Sequence, residues 1–123
     1  MPKRVLVVDD EPNIVMSLEF LMKRAGFEVQ VARNGQEALD ALAGTPPDLL
    51  LLDVMMPQLD GYAVCEQIRA RPEWDGTKIV MLTARGRDAE RERGLALGAD
   101  GYVTKPFSTR ELVERVKQML DLA

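Results

Sequence analysis

Three uninterrupted apolar runs punctuate the chain: Val5 to Val8, Leu49 to Leu52 and Ile79 to Leu82. Runs of this length read as strands covered on both faces, the pattern of a parallel sheet packed between helices. We label them β1 (5–8), β3 (49–53) and β4 (79–82). Glu28 to Ala32 alternates polar and apolar, which predicts a half-exposed edge strand, β2 (28–32). Gly101 to Thr104 predicts a short last strand, β5 (101–104), at the other edge.

Helical periods fill the intervals. Pro12 opens α1 (12–25), with Ile14, Leu18, Leu21 and Met22 on one face and Gly26 ending it. Asn34 caps α2 (35–43), with Glu37 placed for a capping box and Ala38, Leu39 and Leu42 inward. Tyr62 to Ala70 is α3, with Val64, Cys65 and Ile68 inward and Pro72 beyond its end. Arg87 to Leu97 is α4, crowded with charge and poor in large apolar residues before Leu95. Such a run fits a mobile element and equally fits a solvated face. Ser108 caps α5 (109–120), with Glu111 three residues on and Leu112, Val116, Met119 and Leu120 as its apolar stripe.

Strand and helix alternate five times, so the expected architecture is a parallel sheet with helices on two faces. The apolar β1, β3 and β4 belong in the middle, and β2 and β5 outside. The order 2-1-3-4-5 meets this with right-handed crossovers, giving a flavodoxin-like, doubly wound five-stranded sheet. Its winding reverses between β1 and β3, and ligands of open α/β sheets bind beyond the carboxyl ends of strands at such a point. Asp9 and Asp10 end β1, Asp53 ends β3, Thr83 ends β4 and Lys105 ends β5. The amino ends carry only Lys3, Arg4, Asp48 and Lys78.

The chemistry follows from crowding. Three carboxylates at one crevice raise one another's proton affinity, and a divalent cation relieves this. Oxygen ligands without histidine point to Mg²⁺, for which Mn²⁺ can substitute. Lys105 and Thr83 suit a phosphoryl group, and Asp53 is a candidate nucleophile. The same residues also fit a plain salt-bridge network, and Asp53 alone fits a strand end pointing into water.

Composition narrows the setting. The 123 residues, with net charge −4, make one domain and argue against non-specific nucleic-acid binding. The single cysteine, Cys65, cannot form an internal disulfide, and no histidine is present to activate it. No apolar run approaches the roughly 20 residues a membrane span needs, and Asp9-Asp10 cuts off any signal-peptide core. A cytoplasmic protein is the expectation.

These residues together resemble the receiver domain of bacterial two-component response regulators, over essentially the whole chain from Val5 to about Leu120, which implies one such domain across residues 1–123. The match rests on Val7-Val8-Asp9-Asp10-Glu11, Leu52-Asp53-Val54-Met55-Met56-Pro57 followed by Asp60-Gly61, Thr83-Ala84, and Lys105-Pro106-Phe107. The resemblance implies that Asp53 is the phosphoacceptor, served by a phosphohistidine on a sensor histidine kinase or a phosphotransfer protein. It implies that Asp9, Asp10, Asp53 and the Met55 carbonyl hold Mg²⁺, and that Thr83, the Ala84 backbone and Lys105 bind the phosphoryl group. It implies a cis Lys105–Pro106 bond, a switch pairing Thr83 with Tyr102, and a phosphorylation-dependent α4-β5-α5 face read by an effector. Tyr102 also reads as an ordinary edge-strand aromatic. The implied domain is a self-modifying, self-dephosphorylating switch, a monomer or phosphorylation-dependent dimer that itself binds neither nucleic acid nor membrane. Asp100-Gly101 stands where relatives joined to winged helices carry two acids for a symmetric dimer. By the same resemblance, Met55 and Arg85 occupy positions that tune dephosphorylation in that family.

Three rivals differ on residues. A phosphohydrolase wants a second Asp two residues after a nucleophile on β1, where Glu11 stands. A flavin binder wants a Ser/Thr/Gly loop where Asp9-Asp10-Glu11 would repel phosphate. A purely structural interaction domain of the same fold predicts no phosphorylation. With no effector domain in view, the chain reads as a stand-alone regulator or a piece of a longer one.

Overall fold

The computed structural model describes residues 2–56, 58–84 and 88–120. Its elements are β1 (Arg4–Val8), α1 (Pro12–Arg24), β2 (Glu28–Ala32), α2 (Gly35–Gly44), β3 (Leu49–Asp53), α3 (Gly61–Arg69), β4 (Lys78–Ala84), α4 (Asp88–Ala96), β5 (Gly101–Lys105) and α5 (Thr109–Met119). The strands pair in parallel in the order β2-β1-β3-β4-β5. This is the expected order, and it sets the ends of β1 and β3 side by side.

The period of two along each strand divides the core. Leu6, Val8, Leu50, Leu52, Ile79 and Met81 face α2 and α3, meeting Ala38, Leu42, Val64, Cys65 and Ile68. Val5, Val7, Leu49, Leu51, Val80 and Leu82 face α1 and α5, meeting Leu18, Met22, Leu112 and Val116. Every residue of β3 is buried, as a strand covered on both sides requires. Edge strand β2 alternates exposed and less exposed positions.

Helix starts follow local chemistry, with three departures from the sequence reading. Asn34 Oδ1 accepts from the Glu37 N–H at 2.8 Å, but the Glu37 carboxylate accepts from the Arg33 N–H at 3.0 Å and from Asn34 Nδ2 at 3.4 Å rather than from the Asn34 N–H. Helix α3 begins one residue early because Asp60 caps it, its Oδ1 accepting from Ala63 N–H at 2.9 Å. Pro72, expected only as a terminator, opens a 3₁₀ turn over Pro72–Trp74 that buries Trp74 beneath Arg71. Gly26, at φ 97°, takes the chain out of α1 as expected. The start of α4 at Arg87 and the loop residues Pro57 and Arg85 lie outside the described residues.

The amino edge of the sheet is more than a solvated fringe. Asp48 Oδ2 accepts from Arg4 N–H at 2.8 Å. Arg69, closing α3, donates through Nε to the Gly98 carbonyl at 2.8 Å and through Nη2 to the Thr77 carbonyl at 2.9 Å and to Asp100 Oδ2 at 2.8 Å. Asp100 Oδ2 also accepts from Ile79 N–H at 2.8 Å, so its carboxylate is committed inside the domain. Replacing Arg69 with Ala would leave these acceptors without their partner, and we expect a loss of about 3 kcal/mol. Thermal unfolding checks this; an unchanged midpoint would contradict it.

Candidate phosphoryl site

Because Val8 pairs with Leu52, the next residue of each chain, Asp9 and Asp53, emerges at the same edge. Asp9 is 1% exposed and Asp53 5%. Lys105, at the end of β5, reaches across, placing Nζ 3.1 Å from Asp9 Oδ2 and 3.2 Å from Asp53 Oδ1. Backbone donors fix the acids further: Glu11 N–H meets Asp9 Oδ1 at 3.0 Å, and Met55 N–H meets Asp53 Oδ1 at 3.4 Å. Asp10 is exposed, yet one carboxylate oxygen each of Asp9, Asp10 and Asp53 lie within 4.8 Å of one another.

One lysine does not cancel this crowding. Burial, and then the Asp9 charge, push the Asp53 carboxyl up to about 6, against the pull of Lys105 and its hydrogen bonds. Burial pulls the Lys105 ammonium down, but Asp53 and Asp9 outweigh it and hold the pKa above the ordinary lysine value. The site therefore carries surplus negative charge near neutral pH. An all-oxygen set of this spacing fits a hard metal cation as a ligand group.

Thr83, near the end of β4, is 1% exposed. Its hydroxyl has no hydrogen-bond partner among the described residues, a rare condition for a buried polar group. Met81 pairs with Tyr102 and Thr83 with Thr104, so Thr83 and Tyr102 project from the same sheet face. Ala84 closes β4, Met55 is exposed beside Asp53, and the Lys105–Pro106 bond is cis. Burial pushes the Cys65 thiol up to about 11, only partly offset by Arg69, and its Sγ points at the Leu97 carbonyl 3.7 Å away. It is a packed thiol outside the site.

Two participants escaped the sequence reading. At Gly61, α3 starts directly on the Asp53–Val54 peptide, and a Cβ there would crowd the Asp53 carbonyl oxygen. Arg91 looked like one charge among many on α4. Its Nη1 donates to Tyr102 Oη at 3.1 Å, and its Cζ stands 4.8 Å from the ring centroid. The glycine carried a signal, its position after Asp60 in the matched motif. The arginine carried none.

The chain is thus an open α/β domain with its acids, lysine and buried threonine gathered at the switch point of the sheet. The model of the response regulator receiver domain matches residues 5–117, and the chain belongs to that family. Receiver domains are phosphoacceptor switches of two-component systems rather than enzymes in the usual sense, partnered by histidine kinases or phosphotransfer proteins and by effectors. Similar solved structures include a candidate response regulator from Chloroflexus aurantiacus J-10-fl, 40% identical with a TM-score of 0.95, over 98% of this chain and 99% of that one. Chemotaxis protein CheY4 of Vibrio cholerae is 30% identical with a TM-score of 0.91, over 97% and 99%. The BeF3-activated receiver domain of DrrB is 33% identical with a TM-score of 0.86, over 98% and 99%. Among the described residues, no helix is long and apolar enough to cross a membrane.

Proposed function

We propose that the whole chain is one receiver domain in which Asp53 accepts a phosphoryl group from a phosphohistidine. The convergence of buried Asp53, Lys105 and two further acids at one sheet edge carries this reading. An Asp53 carboxylate oxygen attacks phosphorus, the P–N bond breaks, and the imidazole leaves as the new P–O bond forms. Asp9, Asp10, Asp53 and the Met55 carbonyl would hold Mg²⁺ or Mn²⁺. When bound, the cation neutralises charge on the acids and on the transferring group. Lys105, already within hydrogen-bond distance of Asp53, neutralises the rest and orients the carboxylate. The Thr83 hydroxyl, buried without a partner among the described residues, would find one in a phosphoryl oxygen, assisted by the Ala84 backbone.

Lys105 also lines an apolar cavity of about 480 Å³ with Ile14, Leu21, Pro106 and Phe107. Exposed Met16 and Phe20 lie on the same helix, α1. This face abuts the site, and we assign it to the histidine-bearing helix of the phosphodonor. On the far side, modification draws Thr83 inward, Tyr102 turns into the vacated space, and the α4-β5-α5 face presented to an effector changes. The commitment of Asp100 to Arg69 supports a reading without the symmetric acid-paired dimer of this face. We read the setting as cytoplasmic and assign this domain no direct nucleic-acid binding.

Incubation with a small phosphodonor and Mg²⁺, followed by intact mass measurement, tests the proposal. One phosphoryl group is expected, and none after the divalent cation is chelated. An unchanged mass, under conditions that modify a control receiver domain, would defeat it.

A further inference from the structure

Helix α4 has almost no apolar hold on the body. Its one buried residue is Gly94, where a Cβ would stand 3.2 Å from Met81 Cγ. Two of its arginines lie on tyrosines of the body: Arg91 over Tyr102 of β5 at 4.8 Å and Arg93 over Tyr62 of α3 at 4.2 Å. The Arg91 contact is the more elaborate. The guanidinium stacks on the ring, donates from Nη1 to the phenol oxygen at 3.1 Å, and is tied through Nη2 to Asp88 Oδ1 at 2.8 Å. A fork with both ends occupied resists rotation. Turning the Tyr102 ring away breaks the stack and the hydrogen bond together.

We propose that Arg91 is a positioning residue that holds Tyr102 in its present rotamer and so sets how readily the domain enters the phosphorylated packing. This rests on the switch reading of Thr83 and Tyr102 given above. A contact made in only one of two packings biases the equilibrium against the other, and any ligand of the disfavoured packing loses affinity by the same factor. A stack plus a charge-assisted hydrogen bond is worth on the order of tenfold.

Beryllofluoride with Mg²⁺, a phosphoryl mimic, serves as the probe, titrated by amide NMR with the Tyr102 ring resonances as a second readout. In Arg91→Met, which keeps the aliphatic stem, apparent affinity should rise roughly tenfold and the ring resonances of the free protein should move toward their liganded positions. Tyr102→Phe, which keeps the stack and deletes only the hydroxyl, should rise by about threefold. Arg93→Met loses the other stack and should leave the affinity unchanged. In a Tyr102→Ala background, Arg91→Met should have no effect.

Equal affinity of wild type and Arg91→Met would overturn the proposal. So would an equal rise in Arg93→Met, which would mean that loosening α4 in any way suffices, or a rise that persists without the Tyr102 ring. Should Arg91→Met lose α4 altogether, Tyr102→Phe decides alone, and an unchanged affinity there overturns the proposal. A wild-type protein that ignores beryllofluoride would bring down the functional reading itself, a distinguishable result.

Discussion

Asp53→Asn is expected to abolish phosphoryl uptake and, with divalent cations chelated, to make the folded domain more stable rather than less. The first effect follows from removing the proposed nucleophile. The second follows from what Asp53 costs the empty fold. Its pKa rises from 3.8 in the unfolded chain to about 6 in the folded one, through burial first and the Asp9 charge second. An acid raised in this way contributes stability that is complete below its unfolded value and is lost as pH climbs through the folded value. The metal-free wild type should therefore fall behind Asp53→Asn above pH 6, by about 1–2 kcal/mol. Near pH 4 the two should nearly coincide. The amide keeps an oxygen for the Met55 N–H, and Lys105 keeps Asp9, so the substitution leaves no cation stranded. Melts in EDTA from pH 4 to pH 8 read the difference. A gap that fails to widen through pH 6, or wild-type phosphoryl incorporation in the variant, would contradict this account.

Gly61→Ala should be the most damaging small substitution outside the charged cluster. Its new methyl group would fall 2.4 Å from the Asp53 carbonyl oxygen and 2.9 Å from Val54 Cα. Both are backbone atoms of the Asp53–Val54 segment, and neither can swing aside as a side chain would. Gly61 N–H also bonds the Val54 carbonyl at 3.0 Å, so helix and strand end are locked at this distance. We expect a loss of about 2–3 kcal/mol from overpacking. We also expect phosphorylation slower by roughly a hundredfold, because a shift of this kind moves the nucleophile off its line. Gly44→Ala, where a Cβ meets nothing within 4 Å, is the control and should change neither quantity. Normal phosphorylation kinetics in a folded Gly61→Ala protein would sink the positioning argument.

The contrast between what the sequence revealed and what it hid has a physical origin. Burial on two faces writes itself into composition, so Leu49 to Leu52 announced a central strand, and strand order followed from which runs were wholly apolar. The site was legible because its members sit at strand ends, where a short motif fixes the position of each. The division of labour inside the acid pair was not. Asp9 is buried and bonded to Lys105 while Asp10 is exposed, and adjacent residues on an emerging strand give no hint of which turns inward. The cap at Asp60 was not legible either, because a cap and a turn use the same residues. The Arg91–Tyr102 and Arg69–Asp100 contacts join side chains distant in sequence, and no local period records such a pairing.

The seat of Gly94 bears on temperature. It rests against Met81, itself buried, so lifting the helix wets the thioether below it, and the raised position should carry the larger heat capacity. The balance between the two positions would then curve as a cell warms or cools.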